Sequence, residues 1–333
     1  MRNKIPFLMM IIISVLLVIV GCSSGSEEET TKIKLGHTLT EDSAWQKGAE
    51  HFAETIKEET DGRYEVDIFP NGQLASNDQK KALEMLRQGS YDIDITSALI
   101  WSDFDDELGI TALPWIVPDH EDVEEVTNGE AGKMLLDILD NNGVKAVDIG
   151  ETGYRQMYNN EHQIKSPDDL KNLKMRVPGT PVFIDLFEEI GADPTSMDFT
   201  EVFTGLQQGT IDGVEGVSDV VLTNRFQEVL EYMSINNYNF DFFFLTFSED
   251  FYDSLSEEDQ EIFMEAGKEA TDYITEYSQE IDEESIEEIS ESLDVYELSD
   301  DEIEEFRDYV SPIYDKYKDT YSEELRDAFN YPE

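Results

Sequence analysis

The stretch DLKNLKMRVPGTPVFIDLFEEIGADPTSMDFTEVFTGLQQGTIDGVEG, residues 169–216, decides the fold. Its apolar pattern predicts a short strand over Lys174–Val177 and a helix over Thr180–Ile190, whose apolar residues recur at helical spacing. A second helix is predicted after Thr200, and the turn at Asp212-Gly213 leads into the next strand. Strands that alternate with helices in this way are typical of an α/β protein.

Arg176 stands inside the first of these strands, which is otherwise apolar. An arginine is rarely buried without a partner, so two explanations are open. The first is a structural ion pair to one of the many acids of the chain, and the residue type alone favours it. The second is a binding site for a ligand carboxylate, because the planar guanidinium group can hold a carboxylate with two hydrogen bonds.

The segments on either side continue the α/β pattern. A βαβαβ order, which is typical of a parallel sheet, is predicted upstream of residue 97. Downstream, the apolar run Phe240–Phe247 predicts a central strand that returns to the first sheet. A long helix is predicted to begin after Ser256 and to run past Ser278, to Leu293 if it contains a break. Further C-terminal helix is predicted over residues 300–321.

The N-terminus has the form of a signal peptide, with Arg2 and Lys4 ahead of an apolar run. Residues 1–21 are therefore expected to be removed, although a plain membrane anchor is the alternative reading of such a run. The sequence Ile19-Val20-Gly21-Cys22 resembles a bacterial lipobox, which predicts a lipid on Cys22. Residues 22–31 are small, polar and acidic, and they are predicted to form a flexible tether.

Composition excludes several classes of protein. Asp and Glu number 77 against 23 Lys and Arg, a net charge of −54, which predicts a strongly acidic surface. Salt would screen its self-repulsion, so a high-salt habitat is the natural context and alkaline growth a rival cause. A nucleic-acid partner is not expected without clustered basic residues. The single Cys excludes an intramolecular disulfide, and no catalytic, cofactor or metal-binding motif is present.

Four motifs together resemble one family. They are K-M-R-V-P-G at 174–179, D-F-T-E-V-F-T-G-L-Q-Q-G at 198–209, I-D-G-V-E at 211–215 and G-Y-R-Q at 153–156. The chain is similar, from about Lys32 to about Phe263, to the solute receptors of tripartite ATP-independent periplasmic (TRAP) transporters of the dicarboxylate-receptor (DctP) type.

The resemblance implies a two-domain α/β fold of the periplasmic-binding-protein type II-like class. It has a central cleft and a long C-terminal helix that spans both domains. Domain I is expected over residues 32–152 plus about 242–280. Domain II is expected over residues 153–241 plus the C-terminal helices, about 281–333.

The resemblance also implies a ligand site in the cleft. In the family, the residue that matches Arg176 pairs with the ligand carboxylate, and the one that matches Arg155 assists. Phe199 occupies an apolar contact position, and Tyr238 stands where relatives often have His. Further expected positions are Gly179 and Gly216, where some members have Asn, and Trp101, Trp45 and Thr38 on the first-domain wall.

One comparison within the family narrows the range of acids that the resemblance implies as ligands. Ser97 and Ile100 align with a Glu and an Arg of the branch that binds sialic acid, which argues for a smaller or less polar acid.

The function implied is that of an extracytoplasmic, lipid-anchored binding protein. It would capture a small organic acid and deliver it to the small and large permease subunits of a TRAP transporter. No cofactor, metal or catalytic activity is expected. The alternatives are an enzyme of the same fold or a receptor that only senses its ligand.

Overall fold

The computed structural model describes residues 30–332. The predicted signal peptide, Cys22 and nearly all of the predicted tether lie outside the described residues. The last residue of that tether, Thr31, already belongs to the first strand.

Nine strands and twelve α-helices follow one another in the described part of the chain. The strands are β1 (Thr31–His37), β2 (Tyr64–Phe69), β3 (Ile93–Ser97), β4 (Val144–Asn159), β5 (Lys174–Val177), β6 (Asp193–Ser196), β7 (Gly213–Val217), β8 (Tyr232–Ser248) and β9 (Asp294–Glu297). The helices are α1 (Ala44–Glu59), α2 (Gln79–Arg87), α3 (Ala98–Trp101), α4 (His120–Asn128), α5 (Glu130–Asp140), α6 (Pro181–Ile190), α7 (Val202–Gln208), α8 (Ser218–Thr223), α9 (Glu249–Ser254), α10 (Glu257–Ser290), α11 (Asp300–Tyr317) and α12 (Glu323–Ala328).

The strands form one sheet in the order β2-β1-β3-β8-β4-β7-β5-β6, with β9 paired to β8. The βαβαβ prediction is confirmed, because β1 pairs in parallel with both β2 and β3. The run Phe240–Phe247 lies in β8 and returns to this group as predicted, antiparallel to β3. On the far side, β5 is parallel to both β6 and β7. The sheet therefore has two halves, which β4 and β8 join.

The two joining strands are longer than the sequence predicts. The pattern of Val144–Ile149 predicts only the start of β4, which continues to Asn159, and the predicted strand Phe240–Phe247 is only the second half of β8, which begins at Tyr232. Polar residues interrupt the apolar pattern of β4, yet most of them are buried and several are hydrogen-bonded. Glu151, for example, accepts a hydrogen bond from Gln279 Nε2 at 2.8 Å. Three register shifts bend β4 against β8, as bulges do.

The long helix α10 runs for 34 residues without a break and braces both halves. Ser256 caps its start, since its hydroxyl accepts a hydrogen bond from the backbone N–H of Asp259 at 3.1 Å. Its first half packs Phe263 and Ile274 into the core around α1, whereas Ile289 near its end belongs to the core around α7 and β7. The predicted C-terminal helix ends at Tyr317 and is followed by the separate helix α12.

Candidate ligand-binding site

A cavity of about 60 Å³ lies between the two halves of the sheet. At about 10–15 Å³ for each water-sized sphere, it holds on the order of five waters, or a small ligand. The first half contributes the segment after β1, the end of β3 and residues of α1, α2 and α3. The joining strands β4 and β8 contribute Thr152, Arg155 and Asp241, and the second half contributes residues of β5, β7 and α8 and of the segments beside them. The lining residues are Thr38, Leu39, Trp45, Gln79, Ser97, Leu99, Ile100, Thr152, Arg155, Arg176, Pro178, Phe199, Glu215, Gly216, Val217, Val220, Val221, Phe226 and Asp241.

Arg176 lies on the wall of this cavity with only 3% of its surface exposed. Its Nε and Nη2 atoms donate to the carbonyl oxygen of Met197 at 3.2 and 3.0 Å, and its guanidinium carbon lies 5.6 Å from the ring centre of Phe199. Within residues 30–332, no carboxylate forms a salt bridge with it. Burial lowers its pKa to about 10, so the side chain is still a cation at neutral pH. The structural ion pair considered for Arg176 is therefore absent from the described chain.

Arg155 is also buried, but its charge is compensated. Its Nε and Nη2 atoms donate to the two carboxylate oxygens of Glu215 at 2.5 and 2.8 Å, and its Nη1 atom donates to Asp241 at 2.8 Å. The register of the sheet explains this arrangement. Arg155 of β4 is opposite Val217 of β7 and Asn239 of β8, so each acid lies diagonally across from it, two residues along the neighbouring strand.

Two further side chains hold these acids in place. The hydroxyl of Tyr238 donates to Glu215 Oε2 at 2.5 Å, and the hydroxyl of Ser97 donates to Asp241 Oδ1 at 2.6 Å. Burial raises the pKa of Asp241, and the positive charge of Arg155 opposes that rise. Arg155 thus lines the cavity together with Arg176, and it is the centre of a salt-bridge network.

Most of the other predicted positions meet at the same cavity. Its lining includes Thr38, Trp45, Phe199 and Gly216, together with the aligned residues Ser97 and Ile100. A side chain could be accommodated at Gly216, since an added Cβ would lie 3.8 Å from the nearest atom, on Val221.

Three predicted positions lie away from the lining. Tyr238 is buried behind Glu215 and contacts that acid. Trp101 is fully buried and packs edge-on against Phe104. Gly179 faces Ser196, whose hydroxyl would lie 3.1 Å from an added Cβ. Tyr238 therefore supports the site through Glu215, whereas Trp101 and Gly179 are outside the lining.

Several lining residues have no counterpart among the sequence predictions. Glu215 is the last residue of the I-D-G-V-E motif, and Asp241 is a lone acid within the apolar run of β8, the same kind of signal that singled out Arg176. Gln79 donates to the hydroxyl of Thr38 at 3.3 Å. The buried hydroxyl of Thr152 has no hydrogen-bond partner within the described chain.

Two features are absent from the described residues. Between residues 30 and 332, no helix has the length and apolar character that crossing a membrane requires. In the same range, no group of three or more His, Cys, Asp or Glu side chains is arranged to hold a metal ion.

Comparison with known proteins gives consistent matches. The family model DctP, described as bacterial extracellular solute-binding protein, family 7, matches residues 35–320. A solute-binding protein of Roseobacter denitrificans is 33% identical over 254 residues, which cover 75% of this chain and 76% of the relative.

Solved structures match over a larger share of the chain. A TRAP periplasmic solute binding protein from Sulfurospirillum deleyianum, with bound succinate, has a TM-score of 0.85 at 27% identity and covers 90% of this chain and 98% of its own. The sugar acid binding protein DctPAm from Advenella mimigardefordensis, in complex with galactonate, has a TM-score of 0.86 at 29% identity with the same coverage. The resemblance and the type II-like two-domain fold are confirmed, and the chain belongs to the DctP family of bacterial extracellular solute-binding proteins.

Proposed function

We propose that this protein is the extracytoplasmic solute receptor of a TRAP transporter, which captures a small organic acid and delivers it to the membrane permease subunits. One observation carries the proposal: Arg176 is a buried cation on the wall of an interdomain cavity, without a carboxylate partner in residues 30–332. A buried charge is costly unless it is paired, and a ligand carboxylate would supply the missing partner. Succinate and galactonate, the ligands of two structural relatives, are carboxylates.

The site gives less support to an enzyme of the same fold. Catalysis would need a nucleophile or an acid and base free to exchange protons in the cavity. The two acids of the lining, Glu215 and Asp241, are both engaged by Arg155. A receptor that only senses its ligand has the same site, and the neighbouring genes distinguish it, since genes for the permease subunits indicate transport.

The joining strands β4 and β8 connect the two halves of the sheet, and this position is suitable for a hinge between two domains. Binding proteins with a cleft close around their ligands by rotation about a few connecting segments. We place the domain boundaries near Thr152 in β4 and Asp241 in β8, so that domain I comprises residues 32–152 plus about 242–280. Domain II then comprises residues 153–241 plus about 281–333. A register shift lies beside both proposed boundaries, between Glu151 and Gly153, where β4 can bend.

A thermal-shift screen tests the proposed function. Succinate, galactonate and other small acids are added to the mature chain in molar NaCl, with the neutral amide of each acid as its control. We expect at least one acid to raise the melting temperature saturably while its amide does not, because only the acid can pair with Arg176. Equal shifts from acid and amide would contradict the proposal.

Melts without ligand, in dilute buffer and in molar NaCl, test the high-salt habitat, for which salt should raise the melting temperature.

The N-terminal sequence supports attachment to the outer face of the cell membrane through a lipid. We expect residues 1–21 to be absent from the mature protein and Cys22 to carry the lipid, because the apolar run ends in Ile19-Val20-Gly21-Cys22. Mass spectrometry of protein from its native host measures both features. A retained Met1 or an unmodified Cys22 would refute lipid anchoring without affecting the proposed ligand site.

A further inference from the structure

We infer that the ligand carries a single carboxylate and an uncharged remainder, and that Asp241 is a determinant of this preference. The inference rests on the proposed function, since it concerns the ligand of the same cavity. It follows from the charges on the cavity wall, from the chemistry of the remaining lining residues and from the position of Asp241.

The first step is the balance of charge. The lining contains two cations, Arg155 and Arg176, and two acids, Glu215 and Asp241. Both acids contact Arg155, which leaves Arg176 as the lining cation that has no carboxylate contact in the described chain. One ligand carboxylate can therefore be paired. A second one would be buried without a free cation, which is unfavourable once the ligand has displaced the water from the cavity.

The second step concerns the rest of the wall. Apart from the four charged residues, the polar side chains of the lining are neutral, namely Thr38, Gln79, Ser97 and Thr152. Such groups can bond a ligand hydroxyl or carbonyl oxygen but cannot neutralise a carboxylate. Most of the remaining wall is apolar, and Leu99, Val217 and Val221 are examples. This surface suits an aliphatic or hydroxylated body.

The third step identifies Asp241 as a specificity residue. It lies on β8, in the centre of the cavity wall, and both carboxylate oxygens are fixed, one by Ser97 at 2.6 Å and the other by Arg155 at 2.8 Å. Its negative charge therefore cannot turn away from the cavity. Like charges brought together in a desolvated site strongly disfavour binding, so Asp241 repels a second carboxylate and also reduces the attraction of Arg155 for it.

The experiment compares acids in pairs that share a carbon skeleton. Titration calorimetry is performed with butanoate and succinate, 2-hydroxybutanoate and malate, and galactonate and galactarate. In each pair, the second acid has a carboxylate in place of a terminal methyl or hydroxymethyl group. We expect the monocarboxylate to bind at least about tenfold more tightly in every pair that binds, since like-charge contact in an interface is costly.

A substitution tests whether Asp241 causes the preference for monocarboxylates. Asp241→Asn keeps the shape of the side chain but removes the charge, so the affinity ratio of dicarboxylate to monocarboxylate should rise by about tenfold or more. Asp94→Asn is the matched control. It removes another buried Asp, which bonds Tyr91 in the first half outside this cavity, and it should leave the ratio unchanged.

The outcomes separate this inference from the proposed function. Equal or tighter binding of the dicarboxylates to the unmodified protein overturns the single-carboxylate inference but leaves the proposed receptor function intact. An unchanged ratio in a folded Asp241→Asn variant overturns the role of Asp241. If no acid of the panel binds, or if neutral amides bind equally well, the proposed function fails and the ligand class fails with it. The pairs need no variant, so a misfolded Asp241→Asn protein does not prevent the test.

Discussion

Replacing Arg176 with Ala is expected to weaken binding of the preferred acid by roughly tenfold to a few hundredfold, because a hydrogen bond to a charged group is worth about 1.5–3 kcal/mol. The structure indicates that the substitution should weaken ligand binding more than it weakens the fold. The bonds that Arg176 makes within the described chain go to one carbonyl oxygen, that of Met197, and no salt bridge is broken. Titration calorimetry of the unmodified protein and the variant, with the acid that shifts the melting temperature most, measures the effect.

Arg176→Lys is the matched control, because it preserves the net charge but loses the planar fork. We expect its affinity to fall as well, by less than in the Ala variant. The explanation would be wrong if Arg176→Ala lowered the melting temperature of the ligand-free protein while the folded fraction bound the acid normally. Arg176 would then be a residue of the fold only.

The position of Arg176 inside a short buried strand could be predicted because its signal is local. A lone Arg in a four-residue apolar strand, followed by Pro178-Gly179, is visible in the sequence. The neighbouring helix α6 was equally clear from its apolar spacing and from Gly191, which ends the helix with a φ of +88°. By contrast, the edge strand β6 was missed, because Asp193-Pro194-Thr195-Ser196 is short, contains Pro and has weak strand propensity.

The partners of Arg155 could not be predicted because they depend on the register between distant strands. Glu215 and Asp241 are 60 and 86 residues away in the sequence, and nothing local indicates that both flank one side chain. The length of β4 was underestimated for a related reason. In the sequence alone, the polar residues of β4 indicate an exposed segment. Their burial depends on neighbouring elements that are distant in the sequence. A family resemblance assigned Arg155 to the site, but only the sheet shows what compensates its charge.

Arg155→Ala should therefore be the most destabilising change at the site. Removing one member of a buried ion pair costs about 3–5 kcal/mol, because it leaves charges buried without compensation. Here, two carboxylates would lose their common partner, a residue that is only 7% exposed. We expect the free energy of unfolding of the ligand-free protein, measured by denaturant titration, to fall by this amount. The decrease should exceed that of Arg176→Ala.

A neutral replacement of the whole network provides the control. The triple variant Arg155→Met, Glu215→Gln and Asp241→Asn has no buried charge left unpaired at this point, so it should recover much of the stability lost in Arg155→Ala. If Arg155→Ala instead unfolds at the same denaturant concentration as the unmodified protein and only loses ligand affinity, then Arg155 acts as a second ligand cation. Its bonds to Glu215 and Asp241 would in that case exchange for bonds to the bound acid.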